Sequence, residues 1–458
     1  MKDSSVCENV VIISLDCVRP EALGCYPQRF PLQIGRSRKA RTPNLDSVAA
    51  EGCRFDQAIT PAPYTPAAHA SLLTGLYPPR HGIRALRGYR LVPDVATLAE
   101  IAHADGYRTA AFIGADALSR HYGLQRGFDL YDDVYDRQVR NADLGYRRFG
   151  DEITHKAIDW LTENVLGDPF FLFLHYFDAH SIPMEVAMAL DRSPLTQLID
   201  RLHRDLPESA PRLYKKLVKR LYHRHVRTKR AGLAYHLRNV VEIDRYIGKL
   251  LAYLRTSGLY NRTMIVITAD HGDAFGEHGE KGHRRFLYDT TLKVPLIVKA
   301  GPRFAGRFVP DLVRLVDIMP TVCEMMADLT SPQTLDGISL VPLMLGSSAD
   351  LSAYSETRFD RLDEQGYHLI HHFNSMRTGR WKLILDRLAG GVQLFDLEGD
   401  PYELVDVSSR HPDVVAALRE DLEQTTGEST AGGCAETVAM EDSELAAMEE
   451  RLRALGYL

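Results

Sequence analysis

The segment Thr268-Ala-Asp-His-Gly-Asp-Ala-Phe-Gly-Glu-His-Gly279 carries the most specific chemistry in the chain. Asp270 and His271, adjacent at the end of an apolar run, suit an oxygen-loving or borderline divalent ion, and the glycines let the backbone turn sharply around it. An isolated Asp-His pair is structural more often than not. Here Glu277-His278-Gly279 and Gly282-His283 follow, and the pair becomes part of a metal loop. A second segment is Pro63-Tyr-Thr-Pro-Ala-Ala-His-Ala-Ser-Leu-Leu-Thr-Gly75. Thr65 is placed to cap a helix, with Pro66 in the first turn and Gly75 at its end. A hydroxyl there faces open backbone N–H groups and the positive end of the helix dipole, a ready anion site. Set on a metal, it could become an alkoxide and attack phosphorus; the alternative is a plain capping threonine.

These residues need a scaffold that brings them together. Asn9–Asp16 is a nearly continuous β-branched run, as expected of a strand buried on both faces. Tyr107–Ile113, Phe170–Phe177 and Thr263–Ala269 read the same way, and Val294–Lys299 is a further strand. Helical spacing falls between them, at Thr97–Asp105 and Ala142–Asn164. The alternation predicts an α/β fold with helices flanking a large, mostly parallel sheet. Three of the strands lead to catalytic residue types: Asp16, then Asp178 and His180, then Asp270-His271. Ligands of open α/β sheets bind beyond the carboxyl ends of the strands, so one site is expected there.

From about Ser352 the character changes. Ser375–Asp386 and Gln393–Leu397 read as antiparallel strands around a turn at Gly390-Gly391, followed by helical spacing at Pro412–Gln424 and Asp442–Leu455. The expected division is a catalytic domain over residues 1–350 and a smaller subdomain over 351–458. At 458 residues the chain exceeds what one core usually supports. Its 45% hydrophobic and 25% charged composition is that of a globular enzyme, and a net charge of −6 argues against a nucleic-acid partner. The six cysteines are scattered without zinc-type or disulfide-framework spacing, which suits reduced thiols. With no signal-peptide pattern and no apolar run of membrane-spanning length, the expected setting is cytoplasmic.

The same motifs resemble the sulfatase family of the alkaline-phosphatase superfamily. The likeness runs through Asn9–Tyr26, Thr42–Phe55, Ala70–Gly82, Asp178-Ala-His180, Asp270–Gly279, Arg377–Ile384, Phe395–Glu403 and the ending Leu452–Leu458. It implies a mixed α/β sheet, a small C-terminal antiparallel sheet and ester hydrolysis at a bound metal. Sulfatases oxidise a cysteine or serine to formylglycine at the start of a Cys-x-Pro-x-Arg run. The matching run here is Thr65-Pro66-Ala67-Ala68-His69, so no formylglycine is expected and the arginine has become His69. Threonine at this place resembles phosphate-transferring relatives, including phosphodiesterases and lipoteichoic acid synthases.

The family's paired aspartates are reduced to Asp16-Cys17, leaving Asp16, Thr65, Asp270 and His271 as a single-metal set. Manganese or zinc suits a set containing histidine, while calcium suits sulfatases. By the same resemblance His180 either protonates the leaving oxygen or orients substrate. His69 and His283, the latter at the family's lysine position, either contact the anionic ester or serve as structural hydrogen-bonders. Arg80 and His81 are expected as supports, Glu277 and His278 as braces of the metal loop, and Lys281 as exposed. Cys25-Tyr-Pro-Gln-Arg29 fits the formylglycine pattern by letter but lies in the loop after the first strand, where it is read as coincidence.

Residues 192–238 are rich in Arg, Lys and His. They form either a basic lid that steers an anionic substrate or rests peripherally on anionic lipid or another polyanion, or a solvated helical insertion. Two rivals to a phosphoester enzyme remain at this stage: a sulfuric ester hydrolase, and a silent protein that keeps the metal.

Overall fold

The computed structural model describes residues 7–27, 40–134, 147–165, 167–180, 229–326, 329–363 and 366–427. In chain order the strands of the large sheet are β1 (Asn9–Leu15), β2 (Cys53–Ile59), β3 (Arg108–Phe112), β4 (Leu130–Asp132), β5 (Phe170–Tyr176) and β6 (Thr263–Thr268). A short β7 (Ala274–Phe275) and β8 (Lys281–Gly282) form a ribbon, and β9 (Lys293–Lys299) and β10 (Arg307–Arg314) complete the large sheet. Its order is β10-β2-β9-β6-β1-β5-β3-β4, with β9 antiparallel to both neighbours and every other pair parallel.

The central strands β6, β1 and β5 are buried along their whole length. Their β-branched and aromatic runs leave no polar face, as a sheet covered on both sides requires. Truncating one of these side chains, such as Phe173, removes packing of the class that costs about 3–5 kcal/mol.

The flanking helices are α1 (Pro43–Ala50), α2 (Thr65–Thr74), α3 (Leu98–Ala104), α4 (Gly150–Asn164), α5 (Lys229–Thr256) and α6 (Ile318–Met325), with α7 (Pro412–Thr426) against the small sheet. Thr97 and Glu100 close a reciprocal capping box on α3. The spacing from Ala142 predicts an earlier start for α4, but the helix begins at Gly150. Phe149 is extended, and the Gly150 N–H donates to Asp178 Oδ1 at 3.1 Å. Asp178 thus holds a helix start beside the β5 end, and burial raises its pKa to about 6.

The second sheet contains β11 (Ala353–Asp363), β12 (Gly366–Arg377), β13 (Trp381–Asp386) and β14 (Val392–Asp396), all antiparallel. The stretch Ser375–Asp386, expected as one strand, is divided by a reversal in which the Thr378 N–H donates to the Trp381 carbonyl at 2.8 Å. The expected turn at Gly390 is present, with φ 73°. This sheet shares cores with the elements around the large sheet, one through Tyr77 and Val316, another through Leu287 and Leu292. It is further fixed by ion pairs of Lys382 with Asp289 (2.8 Å) and Glu403 (2.7 Å). The helix expected at Asp442–Leu455 lies outside the described residues. So does the basic segment 192–238 except for residues 229–238, which belong to α5. Among the described residues no helix is long and apolar enough to cross a membrane.

Candidate active site

The parallel order β6-β1-β5 delivers the expected residues to one sheet edge. Asp16 follows β1, Asp270 and His271 follow β6, and His180 lies just beyond β5. All four are buried, as is Thr65 at the start of α2. Thr65 is the first helical residue, one place later than a cap. Tyr64 occupies the capping position and no side chain caps the helix. The capping alternative therefore gives way: Thr65 Oγ1 donates to Asp16 Oδ2 at 3.3 Å and lies 3.3 Å from His271 Nε2. Gly75 ends the helix in the left-handed conformation, φ 67°, as expected.

The tautomer of His271 follows from its neighbours. Nδ1 lies 3.0 Å from the Gly272 carbonyl, which can only accept, so Nδ1 carries the proton and the Nε2 lone pair faces inward. Asp270 Oδ2 is 3.3 Å from that Nε2. Ligand atoms around a tetrahedral ion with bonds of about 2.0–2.1 Å sit about 3.3 Å apart, which is the spacing found here. Asp16, Asp270 and His271 form a buried group whose ligand atoms all lie within 4.8 Å of one another.

Two orphaned atoms sharpen the point. Asp16 Oδ1 and Asp270 Oδ2 are buried without a hydrogen-bond donor. Burial and the charge of Asp16 raise the pKa of Asp270, while Asp16, against the cost of burial, is held well below the carboxylate range by hydrogen bonding to His175 and by nearby histidines. Two facing carboxylates, one forced up by the other, are relieved by a cation. The donor set therefore fits a divalent metal.

The remaining histidines divide by partner. His69 Nδ1 donates to the Thr65 carbonyl at 2.7 Å, which leaves Nε2 to accept from Ser14 Oγ at 2.8 Å. Both ring nitrogens thus face protein atoms, and of its two expected roles the structure gives His69 the structural one. His180 stacks on Phe177 at 4.3 Å and lies edge-on to His283 at 5.2 Å. Burial lowers the pKa of His69 and of His180 to about 3, and that of His283 well below the usual value, so all three rings are neutral at neutral pH. His283 Nδ1 is 3.3 Å from Asp273 Oδ1 and 3.6 Å from Cys17 Sγ, so it faces the loop and the thiol together.

The composition of this site and the match of the chain to known families agree. Residues 8–329 match the Sulfatase family, and residues 276–428 match a second described as N-sulphoglucosamine sulphohydrolase, C-terminal. The chain belongs to the sulfatase family. It is a sulfatase-family hydrolase of ester bonds. Arylsulfatase K of Mus musculus is 26% identical to it over 90% of this chain and 78% of the relative. An arylsulfatase of Clostridium perfringens is 24% identical over 90% and 93%. Among solved structures, a protein in complex with its substrate D-glucosamine-2-N,6-O-disulfate superposes with TM-score 0.68 and 21% identity, covering 92% of this chain and 98% of that one. The phosphonate monoester hydrolase of Agrobacterium radiobacter gives 0.67 and 21%, covering 92% and 95%.

Other expected residues of this sulfatase-family hydrolase fall outside the centre. Arg80 is a surface residue, paired with Asp336 at 2.5 Å and the Thr334 carbonyl at 2.8 Å, so it supports a loop and not the site. His81 braces α2 through Ser71 Oγ at 2.9 Å. Glu277 accepts from Arg19 at 2.8 Å and His278 stacks on Tyr288 at 3.7 Å, which makes both of them braces of the metal loop. Lys281 is exposed. Cys25 lies beside Asp46 and Arg54, its thiol pushed up to about 12 by burial, and it joins none of the buried ligand groups. A cavity of about 500 Å³ opens between Arg19, Glu277 and His278 on one side and Arg377 and Tyr402 on the other. Thr65, Asp16, Asp270 and His271 do not line it, so the reactive centre is identified by its converging donors and not by this cavity.

Sequence reasoning missed His175. It sits inside β5, with Nε2 donating to Asp16 Oδ2 at 3.2 Å. A signal existed: Ser14, Thr268 and His175 are polar interruptions of three apolar strands, and they pair in register across β6, β1 and β5.

Proposed function

We propose that this protein hydrolyses or transfers a phosphate or phosphonate ester through Thr65, with one divalent metal held by Asp16, Asp270, His271 and the Thr65 oxygen. The observation that supports this most is the placement of Thr65 Oγ1 between Asp16 and His271 at the start of α2. Formylglycine requires a primary Cβ; oxidation of threonine, whose Cβ bears a methyl, would give a ketone instead of the aldehyde. A mixed oxygen and nitrogen set favours manganese or zinc over calcium. When bound, the metal supplies positive charge that stabilises an ionised hydroxyl and the developing charge on a non-bridging oxygen.

The chain's own groups then do the following. Asp16 Oδ2 accepts the hydrogen bond that aims the Thr65 hydroxyl; Oγ1 gives up its proton to water and forms a bond to phosphorus as the bond to the alcohol oxygen breaks. The N–H groups at the start of α2 face the anionic group. His180, neutral because it is buried, lends an N–H hydrogen bond to the departing oxygen, which takes up a proton from water as the alcohol leaves. Water, or an acceptor alcohol, cleaves the phosphothreonine and restores the hydroxyl. His175 holds Asp16 in place. Replacing it with phenylalanine is expected to weaken metal binding by about 10–100-fold, read by equilibrium dialysis against a chelator. Unchanged affinity would remove His175 from the assembly.

The second reading, a sulfuric ester hydrolase, draws on the curated relatives named arylsulfatases. The silent-binder reading loses ground because Asp16, Asp270, His271 and Thr65 converge. Metal-loaded protein assayed on aryl phosphodiester, phosphomonoester, phosphonate and sulfate is expected to favour a phosphorus ester by at least about 100-fold in kcat/KM, about 2.7 kcal/mol of barrier. A preference for the sulfate would overturn the proposal, and no turnover of any ester would favour the silent reading. The same assays at low and high salt test the proposed steering by residues 192–238, since steering predicts that kcat/KM falls with ionic strength.

A further inference from the structure

Cys17 occupies the place where the sequence loses a carboxylate, and the structure does not leave it idle. It is wholly buried and, with φ 63°, one of four non-glycine residues in the left-handed region among the described residues. That conformation costs a side-chain-bearing residue about 1–3 kcal/mol and persists where surroundings enforce it. Here the enforcement is visible, since the Cys17 N–H donates to Asp270 Oδ1 at 3.2 Å. Its Sγ lies 3.8 Å from His271 Nδ1 and 3.6 Å from His283 Nδ1. The thiol belongs to two buried groups whose ligand atoms all lie within 4.8 Å, one with His271 and His283, the other with Asp16 and His180. Of the oxygen-and-nitrogen set, Asp16 therefore shares a ligand group with the thiol, while the contact with His271 is to Nδ1, the nitrogen on the far side of the ring from the metal-facing lone pair. Asp16 Oδ1 and Asp270 Oδ2 are fully buried and without donors, and Asp16 belongs both to the thiol's group and to that of Asp270 and His271.

We infer that Cys17 is itself a ligand, binding as the thiolate, and that it makes this a zinc-class site and not a calcium-class one. The inference rests on the metal site proposed above and specifies its chemistry. A thiolate is a soft donor that favours zinc and cobalt, whereas calcium takes oxygen ligands only. Binding replaces the S–H bond with a metal–sulfur bond and releases one proton to solvent.

The test uses the full chain loaded with one equivalent of zinc or cobalt, with bound metal measured independently. Zinc-edge X-ray absorption is expected to show a sulfur neighbour at about 2.3 Å beside nitrogen and oxygen at about 2.0–2.1 Å. The cobalt form should show a near-ultraviolet thiolate charge-transfer band that disappears in Cys17→Ser. Zinc affinity should fall by roughly 100-fold in that variant. Cys17→Asp, which restores a carboxylate, should shift the preference toward calcium, and this keeps the test decisive if the serine variant folds poorly. Stoichiometric metal with only nitrogen and oxygen neighbours would overturn the role of Cys17 and leave the metal site standing. A sulfur signal that survives Cys17→Ser would overturn it too, by pointing to another cysteine. Failure of the wild type to bind either metal would overturn both this inference and the site on which it rests.

Discussion

Thr65→Ala is expected to lower kcat on a phosphorus ester by roughly 10⁴-fold or more, the scale of losing a nucleophile whose partners act as a unit. The methyl group and backbone of residue 65 do little of this work, because α2 is capped by neither Thr65 nor any other side chain. The alanine protein should therefore fold with an unchanged melting profile. Thr65→Ser, which keeps the hydroxyl between Asp16 and His271, should retain substantial activity. Full activity in the alanine variant would show that Oγ1 is not the attacking atom, whatever its closeness to the carboxylate.

The second large effect concerns stability. Glu356 in β11 accepts two hydrogen bonds from Arg84, at 2.9 and 2.6 Å, and a third from the Tyr354 hydroxyl at 2.7 Å, all fully buried. Removing one partner of such a pair leaves a buried charge without compensation. Glu356→Gln is thus expected to destabilise the protein by about 3–5 kcal/mol, read as a lower denaturant midpoint at constant slope. Burial alone would raise the pKa of Glu356, but Arg84 outweighs it and holds the value below 4.5. A carboxyl with a depressed folded pKa adds stability above its unfolded value, and that stability is lost as pH falls through the folded one. The difference between wild type and Glu356→Gln should therefore be full at neutral pH and shrink below about pH 4.3. A loss under 1 kcal/mol would mean that the pair is not shielded from water. The site is affected as well, since the Glu356 N–H and the Ser355 hydroxyl hold the Pro61 and Thr60 carbonyls, at 2.9 and 2.7 Å, just ahead of Thr65.

What could be read from the sequence follows from the range of the forces involved. The central strands were visible because β1, β5 and β6 are mainly apolar, with few polar positions such as Ser14, His175 and Thr268, and a strand buried on both faces leaves that mark. Asp16, Asp270 and His271 were visible because they follow such strands directly, and sheet geometry alone carries them to one edge. The start of α4 was misplaced because a contact 28 residues away, Gly150 to Asp178, decides it. His69 reads equally as a substrate contact or a structural hydrogen-bonder until the fold brings Ser14 within 2.8 Å of it. His175 and Cys17 were hidden for a related reason. Each meets the site through a neighbour on another strand or loop: the register of β1 with β5 brings His175 there, and the loop after β6 meets Cys17.

The central claim is that Thr65 carries the transferred group, and rapid acid quench during turnover of a phosphorus ester, followed by peptide mapping, tests it most directly. The account predicts that the peptide containing Thr65 gains the mass of the transferred phosphoryl or phosphonyl group, and that Thr65→Ala shows no adduct. An adduct on Cys25, or an aldehyde-bearing residue found anywhere in the wild-type map, would contradict it.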